Sequence, residues 1–224
     1  MASRRVGLAA VVAICAAAWL GAEEAQAQTV ARLENSVAVF DEVMKMGDRA
    51  IPEDLLKKAQ CIAIVPGLKK GAFVVGAKFG RGFVSCRTDA GWSAPAGIRM
   101  EGGSVGFQIG GTEIDVVLAI MNKRGVERLL SNRFTLGADA SVAAGPVGRT
   151  AAAQTDAGMT AEILSWSRSR GVFAGVALEG ATLRGDDDAN LDLYGKRLDM
   201  KQIVAGGTPV PASAQALIGR LSKF

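Results

Sequence analysis

Residues 61–86 read CIAIVPGLKKGAFVVGAKFGRGFVSC, and this stretch decides the fold because strand patterns lie on both sides of turn-forming residues. Residues 61–65 are a short apolar run that ends at Pro66-Gly67, a pair typical of turns. Residues 72–79 alternate apolar with small or polar side chains, which is the period of a strand with one buried face. We therefore expect short strands, with turns at Pro66-Gly67 and at Gly80-Arg81-Gly82.

The strand pattern continues downstream as far as residue 184, interrupted by a short helix expected at 123–132. The further expected strands are 96–101, 104–110, 113–121, 134–144, 147–155, 160–167 and 171–184. The chain has 28 glycines in 224 residues and no collagen-like period. This excess favours bulges and close backbone packing, as in a strongly curved or barrel-like sheet of about nine or ten strands.

Helical patterns flank this strand-rich core of residues 60–184. Apolar residues recur every three or four positions in 29–47, which predicts an amphipathic helix. The residues of its apolar face are Val30, Leu33, Val37, Phe40 and Met44. A short helix is expected after Pro52, and the part 186–224 is expected to be helical. We predict one α+β domain over residues 28–224: a curved, mostly antiparallel sheet with helices at both ends.

Residues 1–27 have the organisation of a secretory signal peptide. Two arginines precede an uncharged apolar run over residues 6–20, and Ala25-Gln26-Ala27 forms an A-x-A cleavage site. The run is shorter than the roughly 20 residues of a transmembrane helix. We therefore expect an exported protein that is periplasmic, associated with the outer membrane or secreted. The bulky Ile14 disfavours lipoprotein anchoring at Cys15.

Two further cysteines, Cys61 and Cys86, follow the expected signal peptide. In an oxidising compartment they form a disulfide or stay as two buried thiols, and both alternatives remain open at this point. A bond would close a loop of about 25 residues, which stabilises the fold by about 3 kcal/mol on the chain-entropy model.

The sequence contains no histidine. This excludes a Ser-His-Asp or Cys-His apparatus, a histidine-ligated zinc and a histidine general base. The carboxylates near expected turns, at Asp139, Asp156 and within 186–192, show no paired acid–base arrangement. We therefore expect no catalytic residues, no cofactor and no enzyme activity.

Two segments resemble ligand-binding motifs but lack essential residues. The glycine-rich segment 102–111 has neither the Gly-Lys-Ser/Thr ending nor the following helix of a phosphate loop, which favours strand packing. Oxygen side chains alternate in 186–192 as in a calcium loop, but Leu191 replaces the required glycine and Arg197 the final glutamate. Helix capping is the favoured role there, and an irregular calcium site stays open.

Basic residues concentrate around the first strands of a chain whose formal net charge is +4. If these strands pair, several cations share one edge and attract phosphates or anionic lipid headgroups; the alternative is an ordinary solvated surface. The candidate lipid-binding residues are Lys57, Lys58, Lys69, Lys70, Lys78 and Arg81.

The apolar face of the 29–47 helix is a candidate for insertion into a bilayer, and docking on the domain's own sheet is the alternative. Aromatic residues are 5% of the chain, too few for stacking on single-stranded nucleic acid.

The chain resembles the SYLF domain family in several motifs that occur in the right order and spacing. They are CIAIVP at 61–66, KGAF at 70–73, GRGFVSCR at 80–87, GWSAP at 91–95, GADAS at 137–141, GPVGR at 145–149, GVFAG at 171–175 and YG at 194–195. The resemblance covers roughly residues 30–223. It implies a lipid-binding module without enzyme activity; eukaryotic members bind phosphoinositides and work with actin at membranes, and bacterial members are similar to envelope proteins.

These observations together predict a non-enzymatic phospholipid-binding protein of the bacterial cell envelope. Its basic residues would engage anionic headgroups while the apolar helix face inserts. The alternative is a structural or protein-interaction module with no specific lipid ligand, which binds another envelope protein or a second copy of itself. Nucleic acid is not an expected partner.

Overall fold

The structure is a computed structural model that describes residues 3–47, 50–72, 75–105, 110–131, 133–147, 161–169, 172–175, 178 and 180–224. The described α-helices are α1 (Ser3–Met44), α2 (Glu53–Lys58), α3 (Lys123–Leu129), α4 (Asp187–Tyr194), α5 (Met200–Val204) and α6 (Gln215–Leu221). The described strands are β1 (Cys61–Ala72), β2 (Val75–Thr88), β3 (Gly91–Trp92), β4 (Ala96–Val105), β5 (Gly110–Ile120), β6 (Phe134–Thr135), β7 (Val142–Ala144), β8 (Ile163–Ser169), β9 (Val172–Gly175) and β10 (Thr182–Gly185). Residues 106–109 and 148–155 of two expected strands, and Asp156, lie outside the described residues.

The strands form one curled sheet, a half-barrel in the order β6-β10-β4-β2-β1-β5-β8-β7. The short strand β3 pairs with β2, and β9 pairs with β8. Neighbouring strands are antiparallel except β7 and β8, which are parallel. The expected α+β class with a curved, mostly antiparallel sheet and helices at both ends is therefore confirmed.

Each face of the sheet carries its own apolar core. The inner core joins residues from strands across the whole sheet, including Ala63, Val84, Met100, Leu118, Ile163 and Leu183. The outer core lies between the opposite face and the helices α1, α2 and α6, and includes Leu33, Phe40, Leu55, Ile64, Phe83 and Leu217. The expected helix 29–47 is the domain-bound part of α1, which ends at Met44. Within the described part of the chain, no helix has both the length and the apolar character needed to cross a membrane.

The stretch 61–86 forms two long strands, so the expected turns at Pro66-Gly67 and Gly80-Arg81-Gly82 are wrong. Pro66-Gly67 is a bulge, because these two residues lie between Val65 and Leu68, which pair with Val116 and Ile114 of β5. The ladder partner that Gly67 loses is replaced: its N–H donates to Oδ1 of Asp115 at 3.0 Å.

Gly82 lies within β2, and β1 passes so close to it beside this bulge that there is no room for a side chain. A Cβ atom on Gly82 would lie 2.0 Å from the carbonyl oxygen of Ile64 and 2.8 Å from Cα of Val65. A Cβ on Gly80 would lie 2.7 Å from Cγ1 of Val65. The two glycines therefore permit a close approach of two backbones, which is a role of strand glycines distinct from a turn.

A disulfide joins β1 to β2 near the start of β1. Cys61 and Cys86 are opposite each other in the register, with their Cα atoms 3.9 Å apart, and their sulfurs are bonded. Arg87 N donates to Gln60 O at 2.7 Å, which makes the cysteines a non-hydrogen-bonded pair, the closer of the two kinds of antiparallel pair. Of the two alternatives left open by the sequence, the structure shows the disulfide.

Candidate functional site

The structure separates the candidate lysines into two groups. Lys57 and Lys58 end α2, just before Cys61 begins β1, whereas Lys69 and Lys70 lie near the other end of that strand. A strand rises about 3.3 Å per residue, so the two groups are roughly 30 Å apart along β1. Lys57 also forms an ion pair with Glu53 at 3.4 Å. The expectation of one shared basic edge is therefore wrong for Lys57 and Lys58.

Lys70 and Lys78 face each other across β1 and β2. Directly opposite residues have Cβ atoms about 5 Å apart and project from the same face. Burial, and next the charge of Lys78, lower the pKa of Lys70 below its usual range. Neither lysine has a carboxylate within ion-pair distance among the described residues. The register thus places two ammonium groups together without a counter-ion, which is a position for an anion.

A third lysine and an exposed aromatic ring complete this end of the sheet. Lys69 pairs in register with Phe79 on one side and with Glu113 on the other. No Lys69–Glu113 ion pair forms among the described atoms, and Glu113 Oε1 lies over Gly67, 2.5 Å from where a Cβ would be. Phe79 is 46% exposed, the most exposed large hydrophobic residue in the described ranges. We call Lys69, Lys70, Lys78 and Phe79 the lysine end.

The lysine end presents charge on both faces of the sheet. Lys70 and Lys78 project from the inner face, and Lys69 and Phe79 project from the outer face, because successive strand residues alternate. The three ammonium groups therefore belong to neighbouring positions on β1 and β2 but project from both faces of the sheet.

Arg81 does not belong to the lysine end, although it lies on the same strand. Its Nε is 3.4 Å from Oδ2 of Asp186, and Arg99 Nη2 is 2.9 Å from Oδ1 of the same carboxylate. The side chain of Asp186 is fully buried. Arg81 is therefore part of an ion-pair group inside the protein, in which it shares the Asp186 carboxylate with Arg99.

Protein groups bind the four alternating oxygen side chains of 186–192, which are Asp186, Asp188, Asn190 and Asp192. Asp186 accepts the N–H of Ala189 and caps α4, as expected from the sequence. Asn190 accepts from Gly97 N at 2.7 Å, and Asp192 accepts from the Thr29 hydroxyl at 2.7 Å. Over the described residues, no group of three or more acidic or cysteine side chains is arranged to hold a metal ion.

The apolar face of α1 is covered by the domain itself, so its expected role in bilayer insertion is contradicted. Leu33 is 0% and Phe40 1% exposed, and the ring of Phe40 packs edge-on against Phe224 with centroids 6.1 Å apart. Val30, Val37 and Met44 are half-buried beside them. The physical reason is that the outer face of the sheet needs an apolar cover, and this face of α1 supplies it.

Polar contacts on both sides of this apolar face fix α1 in place. Arg220 on α6 donates to Asp41 at 2.8 Å, and Thr29 donates to Asp192 on α4. Arg168 on β8 bonds Glu42 as well as Asp115 on β5. Docking on the domain's own sheet, the alternative left open by the sequence, is the arrangement in the structure.

Comparison with known proteins finds a matching family model and several similar sequences. A family model named Ysc84, described as "Las17-binding protein actin regulator", matches residues 101–224. Protein YSC84 of Saccharomyces cerevisiae is 37% identical over 176 residues, which cover 76% of this chain and 37% of that protein. SH3 domain-containing YSC84-like protein 1 of Homo sapiens is 36% identical over 179 residues, which cover 79% of this chain and 52% of that protein. The SH3 domain-containing protein PJ696.02 of Schizosaccharomyces pombe is 38% identical over 171 residues, 75% of this chain and 40% of its own length.

The chain thus spans 37% to 52% of the length of these relatives. These three relatives are each at least 36% identical over three quarters or more of the chain, and the family model covers more than half of it. The chain belongs to the Ysc84 family, the family of the SYLF domain.

Proposed function

We propose that this protein is a non-enzymatic phospholipid-binding protein of the bacterial cell envelope, which docks on anionic headgroups through its lysine end. The observation that carries the proposal is the opposed pair Lys70–Lys78, two half-buried lysines with no counter-ion among the described residues. A headgroup phosphate between them would relieve their mutual repulsion and accept hydrogen bonds from both.

The other members of the lysine end suit a lipid surface as well. Lys69 adds a third positive charge, and each lysine near an anionic membrane contributes about 1 kcal/mol of binding free energy. The exposed ring of Phe79 offers apolar area at the same level as these charges. The apolar face of α1 has no part in this mode of binding, because it is already packed on the sheet.

The proposed location in the envelope is supported by the disulfide and by the N-terminal sequence. A bond between Cys61 and Cys86 persists in an oxidising compartment and is rare in the cytosol. If residues 1–27 are a cleaved signal peptide, the protein purified from its native host begins at Gln28. Mass spectrometry of the intact protein tests this, and a mass that retains residues 1–27 would refute cleavage there.

Co-sedimentation with vesicles tests the lipid proposal. The vesicles contain phosphatidylcholine alone or with added phosphatidylglycerol, at low and high salt. The variant Lys70→Gln/Lys78→Gln should bind anionic vesicles roughly 30-fold more weakly, since two lysines contribute about 2 kcal/mol together. The matched control is Lys57→Gln/Lys58→Gln, which removes the same charge at the other end of β1 and should bind as the unchanged protein does.

Each alternative outcome has a distinct meaning. Equal weakening by both double variants would show that only net charge matters and would refute the lysine end as the site. Failure of the unchanged protein to bind anionic vesicles at low salt would refute the lipid function itself.

A protein partner is the second candidate function. The family description names a Las17-binding actin regulator, and one relative is named LAS seventeen-binding protein 3. We infer that the alternative function is that of a protein-interaction module. Two results together would favour it over lipid binding: the purified protein does not bind vesicles, and it forms a stoichiometric complex with an envelope protein.

A further inference from the structure

A cavity of about 380 Å³ opens beside α3, and three arginines line it. The helix turns Gly125 towards the sheet, where a Cβ would lie 2.9 Å from Ile120 Cγ2 and 3.1 Å from the carbonyl oxygen of Glu162. This close packing leaves the opposite side of the helix facing outwards. The residues around the cavity are Arg124, Glu127, Arg128, Ser131, Arg133, Phe134 and Asp139.

The three guanidinium groups of this cavity have few partners. Nε of Arg124 lies 3.5 Å, and Nε of Arg128 4.0 Å, from the carboxylate oxygens of Glu162, and neither forms a hydrogen bond there. Glu162 is itself bound by the N–H of Ser141 at 3.1 Å. Arg133 has no side-chain partner among the described residues. The terminal Nη groups of all three arginines are therefore available to a ligand.

These donors suit a phosphoryl group better than a carboxylate. A guanidinium presents a planar fork of N–H groups that binds two oxygens at once. Three forks exceed what the two oxygens of a carboxylate can accept, whereas a phosphate monoester such as phosphoethanolamine has three outer oxygens. The side chains of Arg124 and Arg128 are 77% and 44% exposed, so a ligand from solution can reach them.

The same cavity is also lined by two carboxylates, Glu127 and Asp139, with oxygens that accept no hydrogen bond from the described residues. Glu127 has no partner among the described residues, and Asp139 uses only Oδ2, which accepts from Thr135 N at 2.7 Å. An inorganic polyanion would be repelled by these carboxylates. A ligand that carries an ammonium group next to its phosphate would satisfy both halves of the cavity.

We propose that this cavity binds a zwitterionic phosphate ester of the phosphoethanolamine class, with the phosphate on the arginines and the ammonium on Glu127 and Asp139. The cavity adjoins the end of β5 at Ile120, which pairs with Cys61. It therefore lies at the opposite end of the sheet from the lysine end, and this proposal does not rest on the lipid function proposed above.

Isothermal titration calorimetry with soluble phosphoethanolamine tests the site on the full chain. Arg133→Gln and Arg124→Gln/Arg128→Gln should each weaken binding at least tenfold, since each removes charge-assisted hydrogen bonds. Glu127→Gln should weaken phosphoethanolamine but leave or improve the affinity for inorganic phosphate. Lys196→Gln/Lys223→Gln, two exposed lysines outside both the cavity and the lysine end, is the control and should bind phosphoethanolamine as the unchanged protein does.

Three results would overturn the proposal. They are no heat of binding with the unchanged protein, equal affinity in the arginine variants, or loss of binding only in the lysine control. A parallel arm with vesicles of phosphatidylethanolamine identifies the source of the ligand: competition by these vesicles indicates a lipid headgroup, and binding of the soluble ester without competition indicates a free metabolite. The vesicle experiment on anionic lipids can fail without affecting this result.

Discussion

Replacement of Gly82 by alanine adds a single methyl group at the place where β1 and β2 approach most closely. The new Cβ would lie 2.0 Å from the carbonyl oxygen of Ile64 and 2.8 Å from both the carbonyl carbon of Ile64 and Cα of Val65. All three are backbone atoms of the central strand. Rotation of a side chain therefore cannot relieve the overlap, and β1 and β2 must move apart.

The expected cost follows from what this movement breaks. Overpacking of a well-packed interior costs about 1–3 kcal/mol and occasionally more. We place Gly82→Ala at about 3 kcal/mol, because the displaced atoms belong to the backbone next to Val65 and Val84, which are fully buried in the inner core. A domain of this kind is stable by only about 5–15 kcal/mol, so this is a large fraction of the total.

Urea denaturation followed by tryptophan fluorescence measures the effect, since Trp166 and Trp92 are both buried. With a urea m-value of about 2 kcal/mol per molar, the midpoint should fall by roughly 1.5 M. The matched control is Gly103→Ala on β4, where a Cβ would meet nothing within 4 Å and the backbone has no positive φ. That control should be neutral or stabilising by up to about 1 kcal/mol. Equal midpoints for the two variants would refute the close-approach explanation.

Three further predictions concern charged side chains of β1 and β2. Lys78→Gln should raise the pKa of Lys70, as measured by NMR titration of its Cε signal, because it removes a neighbouring positive charge; an unchanged pKa would show that the two ammonium groups do not interact. Folding lowers the pKa of Lys70 from its usual value of 10.5, so protonated Lys70 destabilises the folded state. This cost is fully present at pH values below the folded-state pKa. It is lost as the pH rises from there towards 10.5, because Lys70 then loses its proton in both states. The unchanged protein should therefore gain stability relative to Lys70→Met over that pH range, in urea titrations at each pH. Arg87→Met should destabilise the fold by about 3 kcal/mol, because Arg87 donates to the main-chain oxygens of Ala59, Leu56 and Phe224 at 2.9, 3.1 and 3.2 Å. Lys223→Met, an exposed position, is its control in the same urea assay, and equal stability of the two variants would contradict this role of Arg87.

Much of the fold follows from local patterns in the sequence. The spacing of Leu33 and Phe40 predicts the docked part of α1, and the acidic cap predicts α4 at Asp186. Local patterns could not distinguish a turn from a close approach at Gly82, because the reason for that glycine is the carbonyl oxygen of Ile64 on another strand. In the same way, the apolar stripe of α1 predicts that something covers it, but not whether a bilayer or the sheet does so.

The candidate site was predictable only in part for a related reason. Basic residues on adjacent strands suggested a shared edge, but which of them meet depends on the register. Cys61 pairs with Cys86, and Lys70 pairs with Lys78, so the pairing shifts by one residue between them. The bulge at Pro66-Gly67 causes this shift. A register counted from the cysteines alone would place Lys70 opposite Ala77 and would miss the pair.

The bulge has one further consequence, because it interrupts the ladders on both sides of β1 at nearly the same level. The register shifts between Ile64 and Lys69 towards β2, and between Val65 and Leu68 towards β5. On the side of the bulge towards Cys61, the ladders carry the disulfide and residues of both apolar cores. On the other side, the side chains that the structure describes on β1 and β2, those of residues 69, 70 and 77–79, belong to neither core. Local opening of β1 on the side of the bulge away from Cys61 should therefore break few buried contacts. Amide exchange should be faster at residues 69–71 than at 62–65. The sheet is continuous in its hydrogen bonding, and we expect its two ends to open independently of each other.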